Sequence, residues 1–186
     1  PTQDQPGHHQ SGVVAPRPPA RALAWPATYL VGLLFVASAC SVLPQQPKAT
    51  SSIATVTRVY DGDTVEVNFD GRRESVRLIG IDTPEIAHPP NTAECYGPEA
   101  SAYLHSLLPP GTEVIVTRDV EPRDAYDRLL GYVTRSQDDL FINMALVQGG
   151  YAELLTIAPN TTQTAAFAGA ASAANATGIG LWGACS

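Results

Sequence analysis

The order of elements predicts an α+β domain: a small five-stranded antiparallel barrel with about three helices attached. Three observations lead there. From residue 53 the chain runs through three segments that alternate apolar and polar side chains, each ended by a turn signal, which is the pattern of half-buried strands in a meander. One helical stretch then separates these from two further strands. Helical, Ala-rich segments come last. Such an order lacks the strand–helix alternation that a parallel sheet requires.

Each element has its own warrant. "IATVTRVY" (53–60) is rich in β-branched residues, "DGD" turns the chain, and "TVEVNF" alternates again. "DGRR" (70–73) carries the Asp-Gly signal of a tight hairpin, and "SVRLIGI" completes the meander. Gly97-Pro98 opens a helix with proline at the first helical position, and Pro109-Pro110 stops it. "EVIVTRD" and "RLLGYVTR" are the fourth and fifth strands, joined by the polar loop "VEPRDAYD". "DLFINMALVQGG" has helical periodicity, and "TTQTAAFAGAASAANATG" begins with threonine N-cap candidates and reads as a final helix. Tyr60, Tyr103 and Tyr132 are expected in the core or barrel wall, and His88 and His105 at the surface. Together these elements describe an OB-type barrel over residues 53–186.

The remainder is not domain-like. Residues 1–16 have no structural pattern and are set aside. Residues 22–39 carry no charge and follow Arg17 and Arg21, the arrangement of an export signal. The run ends "VASAC" at Cys40, similar to a lipobox except that Ala37 stands where leucine is usual. Three outcomes fit: lipid attachment at Cys40, a plain cleaved signal, or an uncleaved membrane anchor. Residues 1–40 are therefore an extension and signal segment, and 41–52, rich in Pro, Gln and Ser, a tether. The expected location is extracytoplasmic. With Cys40 taken by lipid, Cys95 and Cys185 remain as a pair that an oxidising compartment would bridge, closing a long loop worth about 4 kcal/mol. Two buried thiols are the alternative.

Charge weighs against one class of partner. The chain's formal net charge is −7, and from residue 53 acids outnumber bases about two to one. That is the wrong sign for a tight non-specific nucleic-acid binder.

The strand ends hold the chemistry. "YDGDTV" places Asp61 and Asp63 at the first turn, "RLIGIDTPE" places Arg77, Asp82 and Glu85 around another, and "AYDRLLGYV" places Tyr126 and Arg128 before the fifth strand. Singly, Asp61-Gly62 is a turn, Asp82 a turn cap, and Arg77 a cation that snorkels or pairs with an acid. Their joint occurrence, with "YGPEA" at Tyr96–Ala100, resembles the staphylococcal nuclease (thermonuclease) family over roughly residues 53–185.

The resemblance implies an OB-fold phosphodiesterase with one Ca²⁺ and DNA and RNA as substrates. It implies Asp63, Asp82 and the Thr83 carbonyl as metal ligands, and Asp61 as a residue that orients the site. Glu85 would orient or deprotonate the attacking water, Arg77 and Arg128 would grip the phosphate, and Tyr126 would hydrogen-bond or pack on a nucleotide phosphate or sugar. The physical sense is sound: hard oxygen donors suit Ca²⁺, and guanidinium forks match phosphate oxygens. Thr83-Pro84 stiffens the link between ligand and base. A monomer is expected, attached to a membrane by its N-terminal lipid or helix.

Two departures matter. A substrate-packing tyrosine of the family is replaced at Leu155 or Thr156, with Tyr151 too far along to serve. The loop before the fifth strand and the final helix contain no lysine. A non-catalytic OB module that binds an oligonucleotide or other ligand at the cell surface is the alternative function.

Overall fold

The computed structural model describes residues 50–185; the signal segment, Cys40 and all but the end of the tether lie outside them. Strands β1 (Ser51–Val59), β2 (Thr64–Phe69) and β3 (Arg72–Leu78) form the expected meander. β1 starts inside the segment assigned to the tether: Ser51 and Ser52 pair with Thr117 and Val116. A short β4 (Gly80–Asp82) and helix α1 (Gly97–Leu107) come next, followed by β5 (Glu113–Thr117) and β6 (Leu129–Arg135). The chain ends through β7 (Leu140–Phe141), α2 (Ile142–Gln148), β8 (Glu153–Leu155), α3 (Thr164–Thr177) and the single turn α4 (Leu181–Ala184).

Strands β3-β2-β1-β5-β6 form one sheet that closes on itself through β3 and β6, the five-stranded OB barrel with its helices. The closing pair is parallel, Val76 against Leu129 and Leu78 against Gly131, where an all-antiparallel barrel was expected. Five is odd, and a ring of five strands cannot alternate direction at every contact. Closure leaves no exposed edge along the five-strand ring. Inside it Val65, Val67, Val76, Leu78, Val114 and Val133 are fully buried, and Leu104, Ile142, Leu146 and Phe167 of the helices pack on the same core.

"RLIGID" is not one strand. β3 ends at Leu78, and the chain kinks at Gly80 with φ +80°, a value that side chains resist. A Cβ there would stand 2.6 Å from Cε2 of Phe167. Beyond the kink, β4 pairs with β8 as a separate ribbon in which Asp82 faces Glu153 and Gly80 faces Leu155. The peptide groups left unpaired by this departure are met by the buried Asn143 of α2. Its Nδ2 donates to Ile79 O at 3.0 Å, and its Oδ1 accepts from Val133 N at 2.9 Å.

Two local expectations fail for visible reasons. Thr162 does not cap α3: its N–H and hydroxyl both donate to Asp119 (3.1 and 2.9 Å), and the N-cap position falls to Gln163. Tyr60 lies at the surface, where its hydroxyl donates to Glu66 Oε2 at 3.1 Å and Arg58 stacks over its ring. Tyr103 packs on the core, Tyr132 is buried, and both histidines are exposed, as expected. Cys95 and Cys185 form a disulfide across 90 residues of sequence, long enough for loop closure to contribute roughly 4–5 kcal/mol. Among the described residues no helix is long and apolar enough to cross a membrane.

The kink yields a test. Gly80→Ala combines a left-handed backbone with a clash against a buried ring, and the expected loss is about 2–4 kcal/mol in urea unfolding. A loss under about 0.5 kcal/mol would mean that the chain bends elsewhere.

Candidate functional site

Asp63 ends the turn after β1 and is buried, with only 6% of its surface exposed. A carboxylate in that position needs donors, and it has four. Its Oδ2 accepts from Thr83 N (3.0 Å) and Thr83 Oγ1 (3.0 Å) and pairs with Arg77 Nη1 at 3.0 Å, while Oδ1 accepts from Thr64 Oγ1 at 3.2 Å. Asp61 shapes the turn by accepting from the Asp63 N–H at 3.0 Å. Gly62 is the residue that lets this turn reach the Thr83 loop, since a Cβ would lie 2.5 Å from Thr83 Oγ1.

Arg77 leaves β3 toward the same point. It donates to the carbonyls of Leu78 and Ile81 at 2.7 and 3.2 Å and pairs with Asp82 Oδ1 at 2.6 Å. One guanidinium thus spans Asp63 and Asp82. The structure places Arg77 between the two carboxylates, the acid pairing that the residue read singly suggested, where the family resemblance implied a grip on phosphate. Burial of Asp63 accounts for the pairing.

Glu85 is exposed three residues beyond Asp82, on a loop held from behind. Glu85 N donates to Glu94 Oε2, and Glu94 N donates to Glu85 O, both at 2.9 Å. Glu94 precedes the disulfide-bonded Cys95, so the covalent link braces this loop.

Ionisation reflects the crowding of acids. Burial, opposed by Arg77 and reinforced by Asp61, pushes Asp63 up to about 6. Partial burial and the charges of Asp61, Asp82 and Glu94 hold Glu85 above the usual carboxylate range. Arg77 pairs with two carboxylates, Asp63 and Asp82, while Asp61 and Glu85 lie near enough for their charges to be felt. Among the described residues no three His, Cys, Asp or Glu side chains gather as a ready metal cluster. The expected ligand set has only two carboxylates and the Thr83 carbonyl. Its donors are all hard oxygens, and Asp63 and Asp82 both reach a single cationic group, so these residues fit a hard divalent cation.

Arg77, Arg128 and Tyr126 line one cleft of about 440 Å³. Arg128 is aimed by Asp124, a residue that sequence reading passed over. Asp124 Oδ2 accepts from Arg128 Nε at 2.7 Å, and Oδ1 accepts from the N–H groups of Tyr126 and Arg128, each at 2.9 Å. Burial alone would raise the Asp124 pKa, yet these bonds hold it below its ordinary value. An aspartate two and four residues ahead of functional positions in a polar loop is a turn-former signal, and that pattern could have found it. Tyr126 is 82% exposed, with the Arg128 guanidinium 5.6 Å from its ring centre. On the opposite wall Leu155 and Ile157 occupy the cleft. Thr156 turns away to bond Thr164, and Tyr151 stacks between Tyr96 and Tyr103.

A family model described as "Staphylococcal nuclease homologue" matches residues 75–184, which include Arg77, Asp82, Glu85 and Arg128. The chain is 41% identical over 105 residues to the thermonuclease of Staphylococcus intermedius, covering 56% of this chain and 61% of that protein. It is 36% identical over 105 residues to the thermonuclease of Staphylococcus hyicus, covering 56% and 60%. With endonuclease YncB of Bacillus subtilis (strain 168) it shares 33% over 108 residues, covering 58% and 50%. The chain therefore spans about half to three-fifths of the length of these relatives. A closed five-stranded barrel, the acid–arginine cluster at its strand ends and the match over residues 75–184 place the chain in the staphylococcal nuclease family.

Proposed function

We propose that the domain is a Ca²⁺-dependent nuclease that hydrolyses phosphodiester bonds of DNA and RNA and leaves 3′-phosphates. The observation that carries this reading is the single guanidinium joining Asp63 and Asp82 beside Glu85, with Arg128 on the same cleft. The relatives' names, thermonuclease and endonuclease, support the reaction class.

Asp63, Asp82 and the Thr83 carbonyl are the residues that would hold Ca²⁺, which supplies Lewis-acid charge to the phosphoryl group when bound. The chain's own groups do the rest. Glu85, with its raised pKa, accepts the proton of the attacking water. Arg128, fixed by Asp124, donates to phosphate oxygens as they gain charge. Arg77 shifts part of its bonding from the carboxylates to the phosphate. Tyr126, exposed at the mouth, packs on sugar or phosphate. The water oxygen bonds to phosphorus, the P–O5′ bond breaks and the departing 5′ oxygen takes a proton from solvent, so the phosphate stays on the 3′ oxygen. An extracytoplasmic site of action, with attachment through Cys40 or the apolar N-terminal run, belongs to the same proposal. The Cys95–Cys185 disulfide supports it, because such bonds persist in oxidising compartments.

The full chain incubated with single-stranded DNA at low salt is expected to cut in Ca²⁺ and to stop when a chelator is added. Equal cleavage with and without the ion contradicts the reading. Binding of the oligonucleotide with no cleavage under any divalent ion assigns the barrel to the non-catalytic alternative.

Glu85→Gln is expected to lower kcat by about 10²–10⁴-fold while calorimetry still detects Ca²⁺ binding. An unchanged kcat would remove Glu85 from the chemistry.

Proton competition sets the sign of a third test. Asp63, pushed up to about 6 by burial, must ionise to hold the ion. Ca²⁺ affinity should be level above about pH 7 and fall about tenfold per unit below about pH 6. Affinity that is flat from about pH 5 to 8 would exclude Asp63 as a ligand.

A further inference from the structure

The domain is acidic overall, yet most of its arginines line one region. All eight of its cationic side chains from residue 53 onward are arginines, and five of them line two adjoining clefts. Arg77, Arg123 and Arg128 line the active-site cleft. Arg72, Arg118 and Arg123 line a second cleft of about 820 Å³ between β1, the β2–β3 hairpin and the loop after β5. Arg123 belongs to both, so the clefts meet there.

We propose that the second cleft continues the active-site groove as a phosphate-binding track for single-stranded nucleic acid. The inference rests on the nuclease reading and extends it to substrate length. Arg118 has no ion-pair partner among the described residues. Its backbone N–H is occupied by Thr50 O at 3.0 Å, which fixes the chain beneath it. Arg72 and Arg123 share Glu74, with bonds of 3.2 and 3.1 Å, and Arg123 also meets Asp127. Asp70 lines the same cleft. With Arg72 and Arg123 held by these acids, Arg118 is the guanidinium of this cleft that has no acid partner among the described residues. Phe69 and the 66%-exposed Ile53 add apolar surface beside it. Cations interleaved with apolar and aromatic surface follow a phosphate chain and its bases without reading sequence.

The test compares substrates of two lengths on the full chain with Ca²⁺. For Arg118→Ala, KM for a 12-nucleotide single strand should rise about three- to tenfold while a dinucleotide is cleaved within about twofold of the original. The slope of log Kd against log salt for the 12-mer should shrink by about 0.7. Arg118→Lys should recover most of the loss. Arg72→Ala, at an exposed strand position, should act in the same direction and guards against a folding defect at Arg118. Unchanged KM for the 12-mer in both variants overturns the track and leaves the nuclease reading standing. Failure of the unaltered chain to cut either substrate overturns both. Loss of binding to phosphatidylglycerol vesicles, with the 12-mer unaffected, assigns the cleft to a lipid headgroup and overturns the track as well.

Discussion

The buried carboxylate of Asp63 is the constraint around which the functional end of the barrel is arranged. It lies on the turn after β1, yet most of its partners come from elsewhere: Thr83 through N–H and hydroxyl, and Arg77 from β3. Burying an ion costs several kcal/mol unless its lone pairs are met, so the β1–β2 turn and the end of β4 cannot separate without exposing that cost. Burial outweighs the Arg77 charge and holds Asp63 above the usual carboxylate range.

The surrounding architecture keeps that cluster in register. Barrel closure through the parallel β3–β6 pair brings Leu130, two residues after Arg128, level with Arg77. The Gly80 kink redirects the chain so that Asp82 and Thr83 face back toward Arg77 instead of continuing along the barrel. Asn143 satisfies the backbone at the kink, and the β4–β8 ribbon carries Asp82 and Leu155 on opposite ends of three residue pairs. On the far side, Glu94 and the adjacent disulfide steady the loop that carries Glu85. Core packing, a helix side chain and a covalent bond thus act on the positions of a few side chains at the surface.

Much of this was legible in the sequence. Alternation of β-branched residues marked the strands, and the four ordered motifs marked the acids and arginines, because both signals are local. What escaped depends on contacts between distant segments. The break inside "RLIGID" is set by Phe167, far along the chain and packed against Gly80. Thr162 was a credible helix cap until Asp119 claimed it. Tyr60, apolar in its ring, is drawn outward by Glu66 and Arg58. Net charge is a sum that carries no positions; Arg72, Arg118 and Arg123 are far apart in sequence and line one cleft only in the fold. For Arg77 the structure meets the expectation that it pairs with an acid, and does so twice, with Asp63 and Asp82.

Carboxyl NMR titration of Asp63, first in chelator and then in saturating Ca²⁺, addresses the core of this picture most directly. The expected midpoint without the ion is near pH 6, dropping to below about 4 once Ca²⁺ is present. An ordinary carboxylate midpoint that Ca²⁺ does not move would mean that Asp63 is neither held at a cost nor placed to receive a metal.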